Sequence, residues 1–381
     1  MKIIIAADIF PPQPGGPATY SVTIANELKK DGHDVRIVSL NPNSDKSKVN
    51  CPIFTVRPSW KIARYFEYLR LIYKQSAGVD VIYAMGPVNA GLPALIVAKL
   101  RKKRLLVKVV GDYAWEQWQN AIGSAESGKS DYIPPENFDG AKTNAKIKIL
   151  KFVERLVARR ADKVIVPSRY LKKIVGNWGV DEDSIAVVYN AVEFGSVDSL
   201  SHAGERWLVS VGPLVPWKGF DTLIALMPAL LKEFPDLKLK IIGSGPQMEN
   251  YKLMINNYPD RVGAGKLSGS VELTGGLSRE KTLSYIKSAD IFILNTGYEG
   301  LSHVILEALN CGTAILASRA GGNPELLGEE NLFAYNREEE IKNKILRALR
   351  GEINIKSGGR DLSQFKFETM IATTKKILCA F

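Results

Sequence analysis

Two carboxylates, Glu299 and Glu307, stand eight positions apart in the stretch Glu299-Gly300-Leu301-Ser302-His303-Val304-Ile305-Leu306-Glu307. The apolar run Ala289-Asp290-Ile291-Phe292-Ile293-Leu294 before them reads as a buried parallel strand. A helix is expected from about Leu301, and eight steps at about 3.6 residues per turn come close to a whole number of turns. Glu299 then sits at the carboxyl end of the strand, and Glu307 on the same side about two turns into the helix. Open α/β sheets bind ligands at that edge. The amides of the first helical turn, at Leu301 and Ser302 after Gly300, would offer an anion site there. Two acceptors for sugar hydroxyls beside an N–H cradle for phosphate fit a nucleotide sugar. Taken alone, a Glu-x7-Glu pair more often belongs to a solvated helix face or a cap. The residues beyond the helix favour the site: Cys311-Gly312-Thr313-Ala314-Ile315-Leu316-Ala317-Ser318, then Arg319-Ala320-Gly321-Gly322-Asn323-Pro324-Glu325-Leu326-Leu327. This order reads as helix, glycine stop, strand, glycine-rich turn and a second helix opening at Pro324.

Elements of the same kind recur along the chain and must position these groups. In the first half Ile3–Ala7, Val35–Leu40, Val79–Ala84, Leu105–Val110, Lys163–Pro167 and Ile185–Asn190 read as strands, with helices at about 17–31, 60–75, 89–101 and 144–160. The polar stretch from Glu193 to Arg206 reads as a linker. A second alternation has strands at Trp207–Gly212, Leu237–Gly243, Ser270–Thr274, Ile291–Asn295 and Thr313–Ala317. Its helices fall near 219–233, 245–257, 278–288, 301–311 and 323–328, and Leu362–Leu378 is also helical. The fold class is therefore α/β, with two Rossmann-like doubly wound domains facing across a cleft, divided as 1–195 and 196–361. Gln119–Gly140, rich in Gly, Ser, Asp and Pro, reads as a long loop on the acceptor side.

Composition narrows the class. A chain of 381 residues with 45% hydrophobic and 24% charged content has the make-up of an ordinary globular protein of two domains. The first residues read as a strand rather than a signal peptide, and no apolar run approaches the length of a membrane span. Three scattered cysteines form neither a disulfide framework nor a zinc site, which suits a reducing cytoplasm. The net charge of +11 needs a cause. No nucleic-acid-binding signature is present, so nucleic acid is not an expected partner. An anionic membrane surface is the other candidate. Ile62, Tyr65, Phe66, Leu69, Ile72 and Tyr73 share one face of the helix from Trp60 to Lys74, with Lys61, Arg64, Arg70 and Lys74 on the other. The basic run Arg101-Lys102-Lys103-Arg104 adds to that case. The more economical reading has this helix bury its apolar stripe against the sheet.

Further loops carry chemistry. In Val211-Gly212-Pro213-Leu214-Val215-Pro216-Trp217-Lys218-Gly219, a lysine at a strand-to-helix junction can neutralise a leaving diphosphate. Gly243-Ser244-Gly245-Pro246 is a glycine turn into a helix, and Gly15-Gly16 joins the first strand to the first helix. The latter is not a G-x-G-x-x-G fingerprint, which argues against a dinucleotide enzyme.

With these residues in place, the chain resembles the retaining family 4 glycosyltransferases of GT-B architecture, also called glycosyl transferases group 1. Their motif typically runs E-G-(F/L)-(P/S)-x-V-x-L-E-A-(M/L)-A-x-G-x-P-V-(I/V)-(A/G)-(S/T)-x-x-G-G-x-x-E-(L/I), and Glu299–Leu326 follows it nearly throughout. The resemblance implies a hexosyltransferase that moves a sugar, with retention, from a nucleotide diphosphate sugar to a glycan or lipid-linked acceptor, as in polysaccharide biosynthesis. It implies no metal and no cofactor beyond the donor itself. Glu307 would hold the ribose and Glu299 the donor sugar. Lys218 and the amides at Leu301 and Ser302 would stabilise the diphosphate. Gly15, Gly16, Gly212, Gly243, Gly245 and Gly300 would border the nucleotide. The helix at 362–381 would pack back on the first domain. Two departures stand out. Pro213 replaces the usual family arginine, with Arg319 a candidate to compensate, and Gly111-Asp112 occupies the place where family members often have a histidine. Asp112 is accordingly the candidate for the polar group facing sugar or acceptor. Asp181-Glu182-Asp183 mimics the metal-binding D-x-D of another transferase architecture, but its polar turn reads as surface. The alternatives are a non-catalytic sugar-nucleotide binding protein and another GT-B activity such as a sugar-nucleotide epimerase. The expected location is the cytoplasm, peripheral on the inner face of the membrane.

Overall fold

Short β-branched runs with no polar face can be satisfied only between two layers of helices, and the strands are buried accordingly. Ile3 to Ala7 are all fully buried, as are Phe292 and Ile293. The computed structural model describes residues 1–13, 15–57, 60–122, 132–192, 195, 197–257, 267–356 and 362–380. The chain divides into two units, one of Met1–Gln117, Gly140–Asn190 and Gln364–Phe381, the other of Trp118–Asp139 and Ala191–Ser363.

The first unit is built on β1 (Lys2–Ala7), β2 (Asp34–Ser39), β3 (Ile53–Thr55), β4 (Val81–Met85), β5 (Arg104–Lys108), β6 (Lys163–Val166) and β7 (Ile185–Val187). They form one parallel sheet in the order β3-β2-β1-β4-β5-β6-β7, with Ile4 opposite Arg36 on one side and Ile82 on the other. The helices in the same stretch of chain are α1 (Gly16–Lys30), α2 (Lys61–Gln75), α3 (Gly91–Arg101), α4 (Tyr113–Ile122), α5 (Ala145–Arg160) and α6 (Arg169–Asn177). The second unit repeats the plan with β8 (Arg206–Val211), β9 (Leu237–Ile242), β10 (Val271–Gly275), β11 (Ile291–Leu294), β12 (Ile315–Ser318) and β13 (Leu332–Phe333). Its parallel order is β10-β9-β8-β11-β12-β13. The helices here are α7 (Phe220–Leu231), α8 (Met248–Asn256), α9 (Arg279–Ser288), α10 (His303–Cys311), α11 (Asn323–Leu326) and α12 (Glu338–Leu349), and α13 (Phe367–Cys379) closes the chain. Two Rossmann-like α/β sheets are thus present. In each the strand order reverses beside the first strand, between β1 and β4 and between β8 and β11, which is where such sheets open a binding crevice.

Several elements differ from the sequence expectation. β3 and β13 are too short to show a period of two, and α6 and α12 have no counterpart in it. The stretch Gln119–Gly140 is not one loop: Gln119–Ile122 completes α4, and Pro135–Gly140 forms a 3-10 turn. Residues 123–131 of that expected loop lie outside the described residues. The apolar stripe of α2 is split. Tyr68 and Ile72 are buried, whereas Ile62 and Phe66 are 56% and 69% exposed. Among the described residues, no helix is long and apolar enough to cross a membrane.

α13 is fixed to the first unit by polar contacts. The buried Tyr20 hydroxyl lies 3.0 Å from Thr374 Oγ1 and 3.1 Å from the Tyr83 hydroxyl, and Lys375 Nζ lies 2.8 Å from an Asp31 carboxylate oxygen. Thr374→Val should leave one hydroxyl of this chain short of a partner, at a cost of about 1–3 kcal/mol. Amide hydrogen exchange should accelerate in α13 while protection in β8–β12 stays unchanged. Equal acceleration in both units would remove this anchor.

Candidate functional site

The carboxyl edge of the second sheet is assembled from four loops whose backbones touch. β8 runs into Gly212, and the Gly212 amide donates to Ile242 O at the end of β9. Gly243 comes next at φ +152°, and a Cβ there would stand 1.9 Å from Gly212 O. A Cβ on Gly245 would stand 2.5 Å from Leu214 O. The Gly321-Gly322 turn backs the Glu299-Gly300 loop in the same way. Gly321 has φ +57° with its would-be Cβ 1.9 Å from Glu299 O, and the Gly322 amide donates to Glu299 O at 2.9 Å. These glycines are therefore required by close approach of backbone to backbone. The Gly297 amide donates to Trp217 O at 2.7 Å, which ties the loop after β11 to the loop after β8.

Lys218 ends the 3-10 turn Pro216–Lys218, and its buried Nζ pairs directly with Glu299 Oε1. The two groups expected to serve diphosphate and sugar separately thus form one ion pair at the point where strand order reverses. Their side chains are only 10% and 17% exposed. α10 starts at His303 rather than Leu301, because the Ser302 side chain caps it by accepting from the Ile305 amide at 3.4 Å. Glu299 therefore lies before the helix and Glu307 little more than one turn into it, so helical periodicity does not relate the two. Among the described residues the amides of Leu301 and Ser302 donate to no acceptor. They remain the donors an anion would meet. Glu307 accepts from Arg279 Nε at 3.2 Å. Burial raises its carboxyl above the usual range, and the Arg279 guanidinium works against that rise.

Other expected residues are placed differently. Arg319 forks onto Glu329 at 2.6 and 2.5 Å on the surface, so its guanidinium is committed elsewhere than to the place of the missing arginine at Pro213. Gly15 precedes α1 at φ +145°, with Gly16 the first helical residue, both in the first unit. Asp112 is 2% exposed, and its Oδ1 accepts from the Trp115 amide at 2.8 Å, the bond of a helix cap at the start of α4. Beside it the buried Glu154 carboxyl accepts from the Ala114 amide at 3.3 Å. Burial, and then the adjacent Asp112 charge, push the Glu154 carboxyl well above the usual range, and burial pushes Asp112 itself up to about 6. Asp112 is thus a buried capping group rather than one open to sugar. Asp181, Glu182 and Asp183 are exposed around a 3-10 turn.

Three participants gave no signal in the sequence. Arg279 lies in the first turn of α9, far from the motif it supports. Glu154 reads as one polar residue in an amphipathic helix. Tyr132, in the stretch read as loop, donates its hydroxyl to Gly297 O and stacks edge-on to Tyr335 at 4.9 Å between centroids.

Against this geometry the relatives can be set. The chain matches the model of Glycosyltransferase Family 4 over residues 14–195 and that of Glycosyl transferases group 1 over residues 195–359. An uncharacterized glycosyltransferase of Methanocaldococcus jannaschii is 25% identical over 96% of this chain and 93% of its own. The alpha-monoglucosyldiacylglycerol synthase of Streptococcus pneumoniae is 24% identical over 92% and 78%. The GDP-mannose-dependent alpha-(1-6)-phosphatidylinositol monomannoside mannosyltransferase of Mycolicibacterium smegmatis is 24% identical over 85% and 82%. Among solved structures, Anabaena HepE in complex with UDP superposes with a TM-score of 0.73 over all of both chains at 17% identity. The sucrose-phosphate synthase of Thermosynechococcus elongatus does so at 0.75 and 18%, over 100% of this chain and 99% of its own. The class is therefore a GT-B protein with two Rossmann-like domains. The chain belongs to the group 1, family 4 glycosyltransferases and is a sugar-transferring enzyme.

The raised carboxyl of the buried Glu154 makes stability depend on pH. A carboxyl held above its unfolded value of about 4.3 stabilises the fold below that value and loses the contribution as pH rises through the folded value. Glu154→Gln removes the titrating carboxyl and keeps an oxygen for the Ala114 amide. Its melting temperature should gain on that of the unaltered protein as pH rises from about 4.3 through neutrality. A difference independent of pH would mean that no proton is held there.

Proposed function

We propose that the enzyme is a retaining, metal-independent hexosyltransferase that takes its sugar from a nucleoside diphosphate sugar and passes it to a glycan or lipid-linked acceptor. The observation that carries the reading is the convergence of Lys218, Glu299 and the glycine-lined backbone of four loops at the switch point of the second sheet. A diphosphate at that edge meets a buried ammonium and the amides of Leu301 and Ser302, so charge developing on the leaving group is stabilised by groups already in place. Glu299, as the counter-ion of Lys218, fixes where the ammonium stands. It can also face the donor sugar as the ring gains positive charge. Glu307, steadied by Arg279, accepts the ribose hydroxyls. UDP in the HepE complex supports a nucleotide ligand, and the diacylglycerol and phosphatidylinositol mannoside relatives support a lipid acceptor.

A working place on the cytoplasmic face of a membrane is supported by the surface of the first unit. α2, α3 and α5 pack side by side, and their outward faces carry Trp60, Phe66, Leu100 and Phe152, each at least 65% exposed. Exposed lysines of the same helices, Lys61, Lys74, Lys99, Lys146 and Lys148, lie among them. Such a mixture suits an anionic lipid surface.

Kinetics test the chemistry. Lys218→Ala should lower kcat on the order of a hundredfold. Because Lys218 and Glu299 form one unit, Glu299→Gln should also lower kcat, and the double variant should lose far less than the two losses combined. Glu307→Gln, removing contacts equal in ground and transition states, should raise donor KM and largely spare kcat. Additive losses at Lys218 and Glu299, or an unchanged kcat in both, would sink the proposed roles. Binding to anionic liposomes should fall steeply with salt and weaken in Phe66→Ser/Leu100→Ser. No sedimentation with such liposomes at low salt would assign the basic charge to another purpose.

A further inference from the structure

The first unit has a pocket of its own. It encloses about 270 Å³ at the carboxyl ends of β1 and β2, and its walls include Asp8, Gln13, Asn41, Lys61, Arg64 and Tyr65. Two cations come from the first five residues of α2. Among the described residues neither Lys61 nor Arg64 is paired with a carboxylate. Opposite in charge stands Asp8, directly after β1. Its Oδ1 accepts from the Ile9 amide at 2.9 Å, while its Oδ2 has only a long contact, 3.4 Å, from Asn89 Nδ2. Asn89 is held in turn by the Tyr65 hydroxyl at 2.6 Å. Burial raises the Asp8 carboxyl above its ordinary range. The Asn41 side chain fixes the loop after β2 by donating to Phe10 O at 3.0 Å and accepting from the Asn43 amide at 3.0 Å.

These groups ask for a ligand of two chemistries. Unpaired cations attract an anion, yet a simple anion gains nothing from a carboxyl beside it. A carboxyl oxygen with room for a donor is satisfied by a hydroxyl. The volume is that of a small polyol or a single sugar, below the usual range for larger ligands. On the same helix Trp60, Ile62 and Phe66 are 68%, 56% and 69% exposed, placing apolar surface beside the cations.

We propose that this pocket binds the phosphorylated, hydroxyl-bearing head of the acceptor, with phosphate on Lys61 and Arg64 and a hydroxyl on Asp8. The word acceptor rests on the transferase reading; the binding itself does not. The phosphate ester comes either from a lipid head group or from a free polyol phosphate, and both present the same groups to the pocket.

Calorimetric titration of the full chain with sn-glycerol 3-phosphate, glycerol and inorganic phosphate tests the soluble source. Sedimentation with phosphatidylcholine vesicles, with and without phosphatidylglycerol, tests the lipid source. sn-Glycerol 3-phosphate or phosphatidylglycerol vesicles should bind, with glycerol and inorganic phosphate at least about tenfold weaker than the ester. The double variant Lys61→Ala/Arg64→Ala should weaken the ester about tenfold or more. Asp8→Asn is the sharper test. It removes a negative charge, so attraction by charge alone would make every anionic probe bind more tightly. The pocket instead requires the ester or the phosphatidylglycerol vesicles to bind more weakly, with inorganic phosphate as tight as before or tighter. A loss with the ester alone assigns a free phosphate, and a loss with the vesicles alone assigns a lipid head. Tighter or unchanged binding of both in Asp8→Asn overturns the proposal. Thermal stabilisation by UDP, measured on every variant, keeps the two readings apart. If UDP fails to stabilise the unaltered chain while the Asp8 and Arg64 effects hold, the donor reading falls and this pocket stands. If UDP stabilises every variant and the ester effects are missing, the pocket falls and the donor reading stands.

Discussion

The ion pair between Lys218 and Glu299 is the constraint around which the second unit is arranged. Charges this far removed from water cost several kcal/mol each to desolvate, and removing either partner leaves the other uncompensated. Lys218 arrives on the loop after β8 and Glu299 on the loop after β11, so the pair joins the two loops. Backbone does the holding. Gly243 and Gly321 let neighbouring loops approach where a methyl group would collide with a carbonyl oxygen at 1.9 Å. The Gly297–Trp217 hydrogen bond and the Asn295 side chain, which donates to Gly219 O at 2.9 Å, complete the join. The loops that carry this ion pair are thus joined by contacts that contain no charge.

Much of this is legible in the chain because it depends on local rules. Alternating apolar runs and helical stretches mark most of the strands that form the two sheets, and glycines between strand and helix mark the edge where a ligand sits. The rest is hidden for physical causes. Lys218 and Glu299 are 81 positions apart, and no spacing rule joins a lysine on one strand's loop to a glutamate on another's. The eight-position spacing of Glu299 and Glu307 invites a helical argument, but the Ser302 cap starts the helix too late for it. Asp112 has the position of a ligand group at a strand end, whereas burial and the Trp115 amide make it a cap. α4 is hidden because its sequence leads into a run rich in small polar residues.

The first unit carries a different charge logic. Its excess of lysine and arginine lies on helices whose outward faces are partly apolar, and its acids Asp8, Asp112 and Glu154 are all raised by desolvation. In the second unit the acids at the candidate site are each matched by a cation, Glu299 by Lys218 and Glu307 by Arg279. One unit thus carries exposed lysines beside exposed apolar side chains, and the other keeps its charges paired at a strand edge. That contrast fits the proposed transfer from a polyanionic donor to a separate acceptor.

The central claim is that the second unit receives a nucleoside diphosphate at the Lys218–Glu299 edge without a metal. Thermal unfolding with UDP, GDP and ADP, each with and without EDTA, measures it most directly. One of the three, at a hundredfold excess over its dissociation constant, should stabilise the protein by about 2.7 kcal/mol, unchanged by EDTA and lost in Lys218→Ala. Stabilisation that disappears on chelation, or that survives intact in Lys218→Ala, would contradict the account.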